Sequence, residues 1–192
     1  MAPSKRFDEQ VLKAMTRWPD VPAVHGWLRL DRRGGWHLID RGQPGFDETR
    51  DGRGSPITSQ PIIDFIERNY THEADGRWYW QNGPQRVYVD IDGAPLILRA
   101  FGSGEQVRFV AQTGDQVVRI DAGWTGPAGD VLLATDQGPA MVHDLDLGAL
   151  ALENQGDTIT LVAGGRRIPL QPCDDPPATL GFAARPRPPA AR

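Results

Sequence analysis

The chain has 192 residues, 24% charged and 39% hydrophobic, with a formal net charge of −4. That composition is ordinary for a folding chain, enough for one large domain or two small ones, and it excludes a wholly disordered protein. The charge is uneven: residues 101–160 set nine acidic side chains against Arg108 and Arg119, so this stretch repels phosphate backbones, while the two ends are mildly basic.

The 22 Gly and 17 Pro favour short strands and many turns over long helices. No apolar run approaches the ~20 residues that span a bilayer. The first residues turn acidic at Asp8 where a signal peptide would turn apolar, which predicts a cytoplasmic protein. The single Cys173 excludes an internal disulfide framework and has no basic neighbour to activate its thiol.

In chain order, Phe7, Val11, Met15 and Trp18 make one apolar stripe and predict a helix over 7–18, stopped by Pro19 or Pro22. A hairpin follows, Val24–Leu30 and Trp36–Asp40. A five-residue loop pairs Leu30 with Trp36 and Leu28 with Leu38, an apolar face, and leaves Trp27, Arg29, His37 and Ile39 on the other. Residues 41–57 read as a mobile surface loop. A second helix starts at Thr58 or Ser59, accepts Pro61 in its first turn, and ends near Asn69-Tyr70, with Ile62, Phe65 and Ile66 as its buried stripe.

The run Trp78–Asp92 then reads as a second hairpin. Pro84 cannot donate to a ladder, so a three-residue loop, Asn82-Gly83-Pro84, is expected, pairing Trp80 with Arg86 and Trp78 with Tyr88. Strand alternation then places Tyr79, Val87, Val89 and Ile91 on a core face, and Trp78, Trp80, Arg86, Tyr88, Asp90 and Asp92 on the other. Either a second layer covers that aromatic and charged face, or it is a binding surface. The order helix–hairpin thus occurs twice, at 7–40 and 60–92, a weak hint of duplication.

From Ala94 the pattern changes to short strands: Leu96–Phe101, Val107–Ala111, Gln116–Ile120, Val131–Ala134, Ala140–Leu145, Thr158–Val162 and Arg167–Leu170, with a short helical turn in Leu147–Leu152. Gly-bearing turns separate them, which predicts a small barrel or sandwich. From about Pro172 the Pro, Ala and Arg content predicts a disordered tail.

No motif of known chemistry emerges. His25, His37, His72 and His143 lack metal-binding spacing, and Asp90-Ile91-Asp92-Gly93 lacks the rest of a calcium loop. Asp144 and Asp146 could bind a cation or simply be solvated. Nucleophile elbows, phosphate loops and dinucleotide fingerprints are missing. No catalytic residue, metal or cofactor is assigned.

The stretches Gly26–Trp36, Asp64–Tyr70 and Asp75–Asp90, including Arg77-Trp78-Tyr79-Trp80-Gln81-Asn82-Gly83-Pro84, resemble a proteobacterial family known only as a domain of unknown function. The resemblance implies a bacterial, cytoplasmic protein and transfers no catalytic residue.

The sequence therefore predicts an α+β chain in three parts. Residues 1–93 form two helix–hairpin units, 94–171 a mostly antiparallel β barrel or sandwich, and 172–192 a disordered Pro/Arg-rich tail. The leading function is a non-catalytic binding or interaction module for a small molecule or protein, using Trp78, Trp80, Arg86, Tyr88 and Asp90. The alternatives are a small hydrolase or other enzyme built on Asp90, Asp92 and a histidine, and a weak nucleic-acid binder built on Arg32, Arg33 and the basic tail.

Overall fold

The structure is a computed structural model that describes residues 7–156 and 158–188. The described residues form two compact units that part at Asp92: one is 93–181, and the other holds 7–92 and takes back the segment 182–188.

The first unit runs α1 (Glu9–Arg17), β1 (Val24–Leu30), β2 (Trp36–Leu38), α2 (Glu48–Asp51), β3 (Ser55–Pro56), α3 (Gln60–Arg68), β4 (Tyr70–His72), β5 (Trp78–Asn82) and β6 (Gln85–Ile91). Its six strands form one sheet in the order β3-β2-β1-β6-β5-β4. The two hairpins join through the parallel pair β1 and β6, and the other pairings are antiparallel.

Each element follows from its side chains. Val11 is the buried residue of α1 and Ile66 that of α3, whereas Trp18 and Ile62, expected on the buried stripes, are exposed. Asn69 is fully buried and ties the two helices: its Oδ1 accepts the Asp8 backbone N–H at 2.9 Å, and its Nδ2 donates to Asp8 Oδ2 at 3.1 Å. The first hairpin pairs Leu28 with Leu38 and Leu30 with Trp36. Leu28, Leu30 and Trp36 are buried, whereas Leu38 at this short strand's end is exposed. Ile39, expected on the opposite face, is buried. The stretch 41–57 carries α2 and β3, and the Asp47 side chain caps α2 by accepting the Arg50 N–H.

The second hairpin departs from expectation. Asn82 pairs with Gln85, Gln81 with Arg86, Trp80 with Val87 and Tyr79 with Tyr88. The turn is therefore the two residues Gly83-Pro84. Gly83 at φ +56° suits the first central position of a primed turn, and Pro84 falls at the second, where no N–H is needed. Proline excludes the turn Asn82-Gly83, but it does not exclude the turn one residue later.

The second unit holds β7 (Leu96–Phe101), β8 (Arg108–Ala111), β9 (Ile120–Thr125), β10 (Val131–Thr135), β11 (Gly138–Val142), a 3₁₀ turn (Asp144–Ala149), β12 (Ala151–Gln155), β13 (Thr158–Ala163), β14 (Arg166–Pro172) and α4 (Pro176–Leu180). All eight strands share one sheet, ordered β12-β13-β14-β9-β10-β11-β7-β8, rather than two facing sheets. Its ends draw together, with a bridge between Gly104 and Leu150 and a 2.8 Å bond from the Gly164 N–H to the Glu105 carbonyl. One face buries Ala94, Ile97, Leu132 and Met141 with Cys173, against Trp124 and Leu180. On the other, Leu170, Ile168 and Leu133 crowd Gly123, where an added Cβ would lie 2.5 Å from Leu170 Cδ2.

The described part of the expected tail is structured. Pro172 ends β14, α4 follows, and Phe182 is 5% exposed. Residues 189–192 lie outside the described residues. Composition alone suggested disorder because Pro and Arg bury little; the partners that order this segment are distant in sequence.

Candidate functional site

The pairing of β5 with β6 sorts the hairpin into two faces. Trp78 and Trp80 share a face with Val87, Val89 and Ile91. This is the core face: Trp80 meets Phe65 of α3 edge-on at 5.8 Å, and Tyr70 sits between Trp36 at 5.1 Å and Trp78 at 5.0 Å. The opposite face carries Tyr79, Gln81, Arg86, Tyr88 and Asp90. The sequence reading mixed the two sets because a one-residue slip exchanges faces. Trp78 and Trp80 are thereby removed from the candidate site, while Arg86, Tyr88 and Asp90 remain together.

Glu73 organises this polar face. It accepts from Arg86 Nη1 at 2.6 Å and the Tyr88 hydroxyl at 2.8 Å, and pairs with Arg77 at 2.6 Å. Arg86 lies over the Tyr79 ring and Arg77 over the Tyr88 ring, each at 5.0 Å, so the guanidinium charges rest on aromatic faces. Burial, and then the bond to Glu73, raises the Tyr88 phenol above its ordinary value.

His25 stacks on Tyr88, centroids 4.5 Å apart and planes 16° from parallel. A β-bulge puts it there. The β1–β6 register shifts between Val24–Val87 and Leu28–Val89, and Gly26 adopts φ +74°. Arg41 Nε donates to the Gly26 carbonyl at 2.6 Å and packs so closely that a Cβ on Gly26 would lie 2.7 Å from it. Burial is the largest cause that lowers the His25 pKa, followed by the charges of Arg77 and Arg187. The neutral form of the ring is therefore favoured, and its buried Nε2 has no hydrogen-bond partner among the described residues.

The carboxylates at the end of β6 face guanidiniums. Asp90 is 3% exposed and accepts from Arg187 Nη1 at 3.0 Å. Asp92 accepts from Arg29 and, at 2.9 Å, from Arg185. Burial pushes the Asp92 carboxyl upward, but the bonds from Arg29 and Arg185 outweigh it and hold its pKa below the ordinary value. On the neighbouring hairpin His37 Nε2 lies 2.8 Å from Asp31 Oδ2. Among the described residues, no three histidine, cysteine or acidic side chains converge as a metal-binding group.

Two clefts adjoin the Tyr88–His25 stack. One, of ≈ 690 Å³, is lined by His25, Trp27, Arg41, Glu48 and Arg187. The other, of ≈ 470 Å³, is lined by Met15, Trp18, Gln81, Pro84, Arg86 and Tyr88. Gln81 is 1% exposed; its Nε2 donates to the Gly83 carbonyl at 2.9 Å, but its buried Oε1 has no partner among the described residues. Trp18, by contrast, is 49% exposed, with the Arg17 guanidinium 4.7 Å from its ring. The sequence did not single out His25, Glu73 or Gln81 as site residues, and it offered Arg185 and Arg187 only as part of a basic tail. Gly26 within an otherwise regular strand was the one available signal of a bulge that redirects its neighbours.

Over residues 7–187 the chain matches the DUF2944 family, described as a protein of unknown function (DUF2946). Among curated proteins none matches. Two solved structures are similar. A DUF1285 family protein from Silicibacter pomeroyi DSS-3 is 19% identical, with a TM-score of 0.51 over 78% of this chain and 81% of that one. A DUF1285 family protein from Shewanella baltica OS155 is 11% identical, with a TM-score of 0.43 over 64% of this chain and 87% of that one. The likeness to the Silicibacter protein is one of fold. No helix among the described residues is long and apolar enough to cross a membrane.

Proposed function

This chain belongs to the DUF2944 family, and from that premise we propose that it is a non-catalytic binding module. Its ligand seats in the cleft lined by Trp18, Gln81, Arg86 and Tyr88. The observation that carries this reading is Gln81, a cleft-lining side chain 1% exposed whose buried Oε1 has no partner among the described residues. A buried acceptor left unpaired costs about 1–3 kcal/mol, a cost that a ligand N–H would recover. Arg86 at the same wall supplies a donor for a carbonyl or carboxylate, and the exposed Trp18 ring supplies a flat apolar surface. A donor, an acceptor and an apolar group within one short span is the chemistry of a peptide segment.

The enzyme reading is less well supported. It needs Asp90 or Asp92 as a free base, and both carboxylates are engaged by arginines. The nucleic-acid reading draws on the basic tail, yet Arg185 and Arg187 spend their charge on those same carboxylates. A cytoplasmic location is part of the proposal, and the buried free thiol of Cys173 is compatible with a reducing compartment.

The test is a peptide-library screen on the full chain, repeated on Trp18→Ala and Arg86→Ala. Peptides that bind the wild type and lose at least tenfold in affinity on both variants, with melting temperatures unchanged, bear the reading out. Peptides that bind all three proteins equally overturn it.

A further inference from the structure

The segment after Gly181 makes two kinds of contact with the end of β6. The first is along the backbone. Pairing of β5 with β6 ends at Tyr79–Tyr88, so β6 outruns its neighbour. There the Ile91 N–H donates to the Ala184 carbonyl at 2.8 Å, and the Ala183 N–H donates to the Gly76 carbonyl at 2.9 Å. The returning segment fills the sheet edge that β5 leaves open, as an added strand does.

The second contact is by side chains in matched spacing. Arg185 and Arg187 are two residues apart, as are Asp90 and Asp92, and the chain bends at Ala184 and Arg185 as it reaches them. They meet in opposite order: Arg185 on Asp92 at 2.9 Å and Arg187 on Asp90 at 3.0 Å. Arg185 also donates to the Ile91 carbonyl at 2.8 Å. Pro186 between them fixes its own φ, so less freedom is lost on docking.

We propose that Asp90 and Asp92, with the open edge at Ile91, form a receptor for an Arg-Pro-Arg segment, occupied in this chain by its own Arg185-Pro186-Arg187. With the segment docked, the Asp90 side chain is 4% exposed, whereas those of Arg185 and Arg187 are 45% and 52% exposed. A buried carboxylate demands a cation, but a half-exposed guanidinium does not demand this carboxylate. The occupant is thus the exchangeable partner. Because Arg187 and Pro188 line the His25 cleft, release of the segment removes one wall of that cleft. This inference stands apart from the peptide site at Gln81, since no group in its test lines that cleft.

The test uses full-length protein and a labelled peptide of residues 181–188. With Arg185→Gln/Arg187→Gln the site is vacated of its charges, and the peptide is expected to bind at least tenfold more tightly than to wild type. Binding should weaken as salt rises and vanish when Asp90→Asn/Asp92→Asn is added. Equal binding to wild type and the double variant, or none to a folded double variant, overturns the proposal. A second measurement needs no variant: hydrogen exchange of the Ile91 and Ala183 amides in the wild type. Exchange of both at a common rate, at least tenfold faster than the Val89 amide, shows the segment leaving as a unit. Exchange of all three only with global unfolding makes the segment a permanent part of the sheet and overturns the proposal.

Discussion

The Tyr88 ring lies flat on the His25 imidazole at 4.5 Å, while its hydroxyl donates to Glu73 Oε2 at 2.8 Å. One side chain thus anchors a stack and an ion-pair network. Tyr88→Phe keeps the stack and removes the bond to a charged acceptor, so a loss of about 1.5–3 kcal/mol is expected. Tyr88→Ala removes a 4%-exposed ring and should cost about 3–5 kcal/mol. Urea unfolding of the two variants measures both, and equal losses would mean that the ring contributes nothing beyond its hydroxyl.

His25 gives the unit an acid sensitivity. Burial first, then Arg77 and Arg187, lowers its pKa in the fold, while the unfolded chain retains about the ordinary value of 6.5. Below that value the unfolded state binds more protons, so stability is complete above about pH 6.5 and declines as pH falls toward the folded value. His25→Phe preserves an aromatic partner for Tyr88 and should flatten this slope. Melting curves of both proteins between pH 7.5 and about 5 decide it; identical slopes would remove His25 as the cause.

Asp92 acts at lower pH. Arg29 and Arg185 hold its carboxyl below the ordinary 3.8 against the opposing effect of burial. Its contribution is present above that value and disappears as pH falls through the folded pKa. Asp92→Asn should lower stability by about 1–3 kcal/mol at pH 7, with the difference from wild type shrinking in acid. A gap that stays constant down to about pH 2 would assign the loss to packing rather than charge.

The faces of β5 and β6 predict contrasting variants. Trp78→Ala empties the core beside Tyr70 and should cost about 3–5 kcal/mol. Arg86 is 44% exposed, so Arg86→Ala should change stability by no more than about 1 kcal/mol. Chemical denaturation separates them. A large loss at Arg86 would show the Glu73 network to be structural.

Gly26 tests the bulge. Its φ of +74° disfavours any side chain, and a Cβ would lie 2.7 Å from Arg41 Nε. Gly26→Ala is expected to cost about 1–3 kcal/mol, from strain and the displaced guanidinium. It should also weaken the His25–Tyr88 stack, visible as a shift of the His25 ring resonances. Unchanged resonances would mean that the bulge does not position His25.

Much of the fold was legible because it is local. The stripe Val11 and Met15, the helix entered at Pro61, and the Leu28–Leu38 register each follow from residues a few positions apart. The β5–β6 register was not legible to the same depth. Gly83-Pro84 and Asn82-Gly83-Pro84 are both turns that respect proline, and choosing between them moves Trp78 and Trp80 across the sheet. Only packing against Phe65 and Tyr70, residues of separate elements, decided in favour of the first.

The candidate site divides in the same way. The sequence alone determined that Arg86, Tyr88 and Asp90 alternate along one strand and share a face, because strand geometry has a period of two. Tertiary structure decided what meets that face: Glu73 across the hairpin, His25 from a bulged parallel strand, and Arg187 from 97 positions away. The same holds for the Pro/Arg-rich segment. Its composition states only that it buries little surface by itself; whether it is ordered depends on a buried carboxylate and an open sheet edge, and both are made only when the chain folds.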